Sequence, residues 1–319
     1  MFVSPHKLIL KTCGTTLNLL GLPRILEIAA AEPTKFPAVH RLFYSRKSFM
    51  FPERQQGPHK EWMSEVSFLD KFFGLGHEKG ARGSGAAYTV GSVNRDHWLL
   101  YLTGPSDENE LDDQVPSTKP DFTLEILMSR LSAPGRRPFF FPDLPSTDKG
   151  EHSTPHHARG QALSAELGIT ELFPSSQMTL DAFAFEPCGY SANALVHHDN
   201  GEGYFTIHVT PEEGWSYASF ESNIPVSDLE SLIQRVVKIF QPGNLSITLF
   251  ASESSPVDDA QRTFFKALTD KEKGFAYKRV DKINYEFGGY DLAFASFERK
   301  AGSTHQADWN ISVESTANS

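Results

Sequence analysis

Residues 183–221 read FAFEPCGYSANALVHHDNGEGYFTIHVTPEEGWSYASFE, and the fold turns on them. Apolar and polar side chains alternate as in half-buried strands. Pro187-Cys188-Gly189 interrupts the first strand, and Gly189-Tyr190-Ser191 restarts it. Asp199-Asn200-Gly201 marks a hairpin, because Asn and Gly tolerate the positive φ that tight primed turns require. The strand after it places Tyr204, Thr206, His208 and Thr210 on one face and Phe205, Ile207 and Val209 on the other. Ser191 and His208 then lie on strands that the turn can bring side by side, which is a reason to look for chemistry there.

Working outward, the N-terminal side begins with 2–11 as a strand, ending at Thr12-Cys13-Gly14. Leu17–Ala31 has helical spacing through Leu19, Leu22, Leu26 and Ala30, with Pro23 marking its start. Arg41–Arg46 is a strand. Lys60–Phe73 is an amphipathic helix with Trp62, Val66, Leu69 and Phe73 inward. Ala86–Val93 and His97–Leu102 form a hairpin, Gly74–Gly85 and Gly104–Pro120 are loops, and Thr123–Met128 is an apolar strand. Residues 133–160, rich in Pro, Ser and His, read as a disordered insertion. Ser164–Leu172 suggests a short helix. Beyond the central run, Ser227 opens a capping box, and Ile233, Val236, Val237 and Phe240 form the apolar face of the helix it starts. Leu245–Phe250 is a strand, Asp258–Leu268 a helix, and Phe275–Phe287 and Leu292–Phe297 are strands. The polar tail 301–319 is expected to fray. Hairpin-linked strands with segregated helices imply an α+β domain over residues 1–300, its antiparallel sheets each covered on one face.

Composition bounds the function. The chain has 319 residues, 39% hydrophobic with 25 Phe, enough for a sizeable core. Thirty basic against 40 acidic residues leave a formal charge of −10, which argues against a nucleic-acid backbone or an anionic membrane as partner. No apolar run reaches the roughly 18–20 residues that span a bilayer. No secretory leader is evident, and two cysteines, Cys13 and Cys188, fit a reducing, cytoplasmic setting.

Single residues are weak signals. Cys13 reads either as a small buried hydrophobe or as a thiol acid or nucleophile. Ser191 with His208 has hydrolase elements, but no G-x-S-x-G surrounds the serine. His152, His156, His157, His197 and His198 read as loop histidines without metal-ligand spacing, so no metal is expected. Glu212 caps a turn or binds hydroxyls, and Phe185 is core or a ring for a purine to stack on.

Together the motifs carry more. Met1-Phe2-Val3-Ser4, Lys11-Thr12-Cys13-Gly14-Thr15-Thr16, Phe43-Tyr44-Ser45-Arg46-Lys47, Thr123-Leu124-Glu125-Ile126-Leu127-Met128-Ser129, Pro187-Cys188-Gly189-Tyr190-Ser191, Thr206-Ile207-His208-Val209-Thr210-Pro211-Glu212 and Ser216-Tyr217-Ala218-Ser219-Phe220-Glu221 follow one order. In that order and spacing the chain resembles the eukaryotic, pyruvoyl-dependent S-adenosylmethionine decarboxylases, in a fungal-type form.

The resemblance implies a four-layer α/β/β/α sandwich of two antiparallel sheets, incomplete without the family's small N-terminal β-chain. It implies decarboxylation of S-adenosylmethionine through a pyruvoyl Schiff base, giving the aminopropyl donor for spermidine and spermine. The pyruvoyl group derives from a serine released by self-cleavage at a Glu-Ser bond, and that serine lies outside residues 1–319. By the same resemblance Cys13 reprotonates the product carbon, and Ser191 and His208 assist self-processing. Phe185 stacks on adenine and Glu212 holds the ribose hydroxyls. Glu166 and Glu221 match two acids that hold the activator putrescine in animal members. Ala162 stands where an Asp is expected, so putrescine activation is not carried over, and homodimer formation stays open. The competing reading is a catalytically inactive homologue that binds the nucleoside or regulates an active subunit. A Ser/His hydrolase is a more distant third.

Overall fold

The structure, a computed structural model, describes residues 1–5, 7–12, 14, 16–31, 39, 41–74, 85–103, 122–144, 154–173, 177–198, 201–252, 266–269, 275–287 and 290–300. In chain order the elements are β1 (Phe2–Ser4), β2 (Lys7–Ile9), α1 (Asn18–Ala30), β3 (Phe43–Lys47), α2 (Trp62–Phe73), β4 (Gly85–Val90) and β5 (Trp98–Thr103). There follow β6 (Phe122–Ser129), α3 (Ala133–Arg136), α4 (Thr154–Glu166), β7 (Gln177–Ala184), β8 (Tyr190–His198), β9 (Gly201–Thr210) and β10 (Tyr217–Ser222). The chain continues through α5 (Leu229–Phe240), β11 (Asn244–Ser252), β12 (Tyr277–Phe287) and β13 (Tyr290–Arg299). An eight-stranded antiparallel sheet runs β12-β13-β11-β6-β10-β9-β8-β7, and a three-stranded one runs β3-β5-β4.

Three apolar clusters stack these sheets into the four layers expected of the sandwich. Alternate residues of the large sheet, among them Ile126, Phe205, Ile207, Phe220 and Ile247, pack against Leu163 of α4 and Leu232, Ile233, Val236, Val237 and Phe240 of α5. Each such fully buried side chain contributes roughly 1.5–3 kcal/mol. The opposite face meets the small sheet through Leu127, Leu292 and Phe294 against Val90, Trp98, Leu100 and Leu102. The far side of the small sheet, through Tyr101, packs on Leu19 of α1 and Val66, Leu69 and Phe73 of α2. Strand period two thus gives the large sheet two faces, one packed on α4 and α5 and the other on the side where the small sheet lies. Ser191, His208, Glu125 and Glu221 all belong to the second of these faces. Among the described residues no helix is long and apolar enough to cross a membrane.

Four expectations need correction. Residues 2–11 are not one strand: β1 and β2 fold back on each other with Phe2 opposite Ile9. Pro5 interrupts the ladder, and the Ser4 hydroxyl donates to the Lys7 carbonyl at 3.3 Å across the turn. Pro23 lies inside α1 rather than at its start; docking of Leu19, Leu22 and Leu26 on α2 and the small sheet outweighs the missing N–H bond. Asp228, not Ser227, is the N-cap of α5, its carboxylate accepting from Ser231 N at 2.9 Å.

The fourth concerns the insertion at 133–160. Residues 133–144 are ordered, with α3 capped by Ser132 and with Phe139 and Phe141 buried. Thr154–Glu166 is helical. Polar composition misleads here because α4 buries only a narrow face of His156, Gly160, Leu163 and Ser164. The expected loop at Gly74–Gly85 lies almost wholly outside the described residues. So do the loop at Gly104–Pro120, most of the expected helix at Asp258–Leu268, and the tail 301–319.

Gly160 sets the approach of α4 to β7. A Cβ there would come within 2.6 Å of the Ala182 carbonyl carbon and 2.7 Å of Phe183 N, both backbone atoms that cannot swing aside. Gly160→Ala is therefore expected to destabilise the protein by roughly 1–3 kcal/mol, measurable by denaturant unfolding. An unchanged midpoint would mean that α4 does not sit this close.

Candidate active site

The register of β8 and β9 puts Ser191 directly opposite His208. The serine Oγ lies 2.9 Å from His208 Nδ1. Thr206, next on the same face, donates its hydroxyl to Asn193 Oδ1 at 2.9 Å and sits 3.3 Å from His208 Nε2. With its own proton committed to Asn193, the Thr206 oxygen accepts from Nε2–H. That tautomer leaves Nδ1 as the acceptor for the Ser191 hydroxyl. Burial first, then the Lys11 ammonium and the positive amino terminus, push His208 down to about 4 against the opposing pull of Glu221. The imidazole is therefore neutral at pH 7 and free to take a proton.

The sign of the pH effect follows. A folded-state value below the ordinary 6.5 contributes stability that is complete above about 6.5 and is lost as pH falls towards about 4. The loss is at most roughly 3 kcal/mol. His208→Gln should flatten the acid limb of the stability–pH curve in that window, as read by denaturant midpoints. An unaltered limb would show that other groups cause it.

A second cluster lies on the same face. Lys11, just beyond β2, reaches across to Glu125 of β6 and to Glu221 Oε2 of β10, the latter at 2.7 Å. Tyr204 of β9 donates to Glu221 Oε1 at 2.7 Å. Burial opposes the charge on Lys11, but the two carboxylates override it and raise its pKa. Burial and the neighbouring Glu221 charge push Glu125 up, whereas Lys11 and the Tyr204 hydroxyl hold Glu221 below its ordinary value despite burial. Lys11 and Glu125 were not singled out from the sequence. The available signal was an acid inside each of two apolar strands, at inward-facing positions.

The third group occupies one end of the sheet. Phe185 follows β7 directly and is 41% exposed. The turn from it to β8 is closed by Phe185 N donating to the Gly189 carbonyl at 2.9 Å, with Gly189 at φ +118°. Gly189 N in turn donates to Phe139 O at 2.9 Å, which ties this turn to the ordered segment after α3. Glu212 follows β9 at the same end, because Tyr190 pairs with Val209. It lies beside Cys188: burial, then the Glu212 charge and a hydrogen bond to it, raise the thiol's pKa. Ser191, His208, Phe185 and Glu212 are thus brought to one end of adjacent strands.

Cys13 lies outside the described residues, as does His152. The other four histidines are not in loops: His156 and His157 belong to α4, and His197 and His198 to β8. Among the described residues no three His, Cys, Asp or Glu side chains come together to hold a metal.

A family model for adenosylmethionine decarboxylase matches residues 1–298. The chain belongs to that family, whose members are carboxy-lyases. It is 36% identical over 299 residues to the S-adenosylmethionine decarboxylase proenzyme of Xenopus laevis, covering 94% of this chain and 77% of that protein. It is 33% identical over 336 residues to the proenzyme of Saccharomyces cerevisiae, with coverage of 94% and 77%. Among solved structures it resembles the Trypanosoma brucei AdoMetDC-delta26 monomer, with a TM-score of 0.61 and 22% identity over 94% of this chain and 99% of that one. At that identity the likeness speaks for the fold, and it agrees with the layered sandwich.

Proposed function

We propose that this protein decarboxylates S-adenosylmethionine to the aminopropyl donor used for spermidine and spermine. One observation carries the reading most: Ser191 and His208 are hydrogen-bonded at the sheet end that also bears Phe185 and Glu212. On this reading the exposed Phe185 ring stacks on the purine and Glu212 accepts from the ribose hydroxyls. Ring faces nearby also suit a sulfonium cation. Neutral His208, with Ser191 as its partner, acts as the base in maturation of the precursor, in keeping with relatives that are named proenzymes. Cys13, two residues from the Lys11 anchor, delivers a proton to the product carbon.

The residues fit a pyruvoyl group. Phe2 stacks on Tyr204 with 4.5 Å between ring centroids, so this end of the chain lies against the face of β9 that carries His208. When bound, such a group supplies the electron sink for the bond that releases carbon dioxide. The family's small β-chain would cover the exposed Val3, Leu8, Leu10 and Phe43 and complete the small sheet. A homologue that only binds the nucleoside would share Phe185 and Glu212 but would have no need of Ser191, His208 and Cys13.

Two measurements bear on this. Intact mass of the protein from its own cells is expected to show a small companion chain and a large chain with a blocked, carbonyl-bearing amino terminus. A free amine and no companion would favour the inactive homologue. Cys13→Ala is expected to lower turnover by roughly 10²–10⁴ with substrate affinity retained, because it removes only a proton donor. Equal losses in both would refute that role.

A further inference from the structure

Phe185 has a second ring behind it. Phe183 lies on the same face of β7, opposite Ser191, with its centroid 4.6 Å from that of Phe185. Two side chains from the first turns of α4 hold Phe183. The His156 ring stacks on it in parallel, at 5.1 Å and 6°. The His157 ring meets it edge-on, at 5.0 Å and 90°. Both histidines are anchored in turn: His156 is buried with Nδ1 donating to the Ala184 carbonyl at 2.7 Å, and His157 Nδ1 is 3.0 Å from the Asp181 carboxylate. The close approach at Gly160 keeps α4 in place on β7.

This arrangement has a use. A half-exposed phenylalanine at the end of an edge strand has freedom to lose on stacking, and any order imposed beforehand is affinity gained. We propose that Phe183, clamped by His156 and His157, is a positioning residue that holds the Phe185 ring in its purine-stacking orientation. The inference rests on the reading of Phe185 as the purine platform. Phe183 acts only through Phe185 and need not touch the ligand.

The test is binding of 5′-methylthioadenosine, measured by calorimetry on intact protein purified from its own host. This probe lacks the aliphatic amine and the carboxylate of the amino-acid moiety, so its binding does not depend on the electron sink. Phe185→Ala is expected to weaken binding by roughly fivefold to 150-fold, the range for a base on an aromatic ring. Phe183→Ala should weaken it roughly three- to tenfold, in keeping with the worth of an aromatic pair. The double variant should bind no worse than Phe185→Ala alone, since Phe183 acts through a ring no longer there. Phe183→Tyr should restore affinity and Phe183→Leu should not. If Phe183→Ala does not fold, the Leu and Tyr variants give the same answer.

Unchanged affinity in Phe183→Ala or Phe183→Leu overturns the proposal while the platform stands, as does a double variant whose losses multiply. If Phe185→Ala itself binds normally, the platform reading and the inference built on it both fall.

Discussion

Precursor carrying His208→Ala is expected to accumulate uncleaved, its maturation slowed by roughly 10²–10⁴, the usual worth of a general base. Two features make the effect large. Burial and the Lys11 ammonium hold His208 below its ordinary range, so most molecules keep it unprotonated at pH 7. The hydrogen-bond order from Thr206 to Asn193 points the basic Nδ1 at Ser191 rather than away from it. Maturation should therefore be level across neutral pH and fall only in acid, below the ordinary imidazole range. Ser191→Ala should also leave precursor behind, because the serine orients what the imidazole acts on. Imidazole added to the His208→Ala protein should restore part of the rate, which separates loss of a base from loss of fold. Normal cleavage in both variants would remove the pair from maturation altogether.

The second large effect is on stability. Lys11→Ala is expected to destabilise the protein by about 3–5 kcal/mol, because it strands two carboxylates that face each other across little water. Lys11, Glu125 and Glu221 have side-chain exposures of only 19%, 13% and 14%. Glu125→Gln added to Lys11→Ala should recover part of the loss, since it removes the like-charge repulsion while keeping the shape. Denaturant unfolding of the single and double variants measures this. A Lys11→Ala protein within about 1 kcal/mol of wild type would mean that the cluster is solvated, as exposed ion pairs are.

Much of this site was legible before the structure, for local reasons. Ser191 and His208 are 17 residues apart across one hairpin, and strand alternation is enough to put them opposite each other. The face assignment of Phe205, Ile207 and Val209 held for the same reason. Lys11, Glu125 and Glu221 were not legible as a cluster: the two acids meet only through the pairing of β6 with β10, and Lys11, 114 and 210 residues away from them, comes from outside that sheet. The helix at Thr154–Glu166 was hidden because one narrow buried face leaves little apolar periodicity to read. The clamp on Phe183 follows from that helix and was hidden with it. The likeness to a family came from short motifs in order, a kind of signal that does not depend on knowing what lies next to what.

The central claim is the reaction, and its most direct test is release of labelled carbon dioxide. The protein, purified from its own cells, is given S-adenosylmethionine labelled at the carboxyl carbon. Carbon dioxide and decarboxylated product should appear in equal amounts, turnover after turnover. Tight binding of the nucleoside with no label released would contradict the account and leave a homologue that binds but does not catalyse.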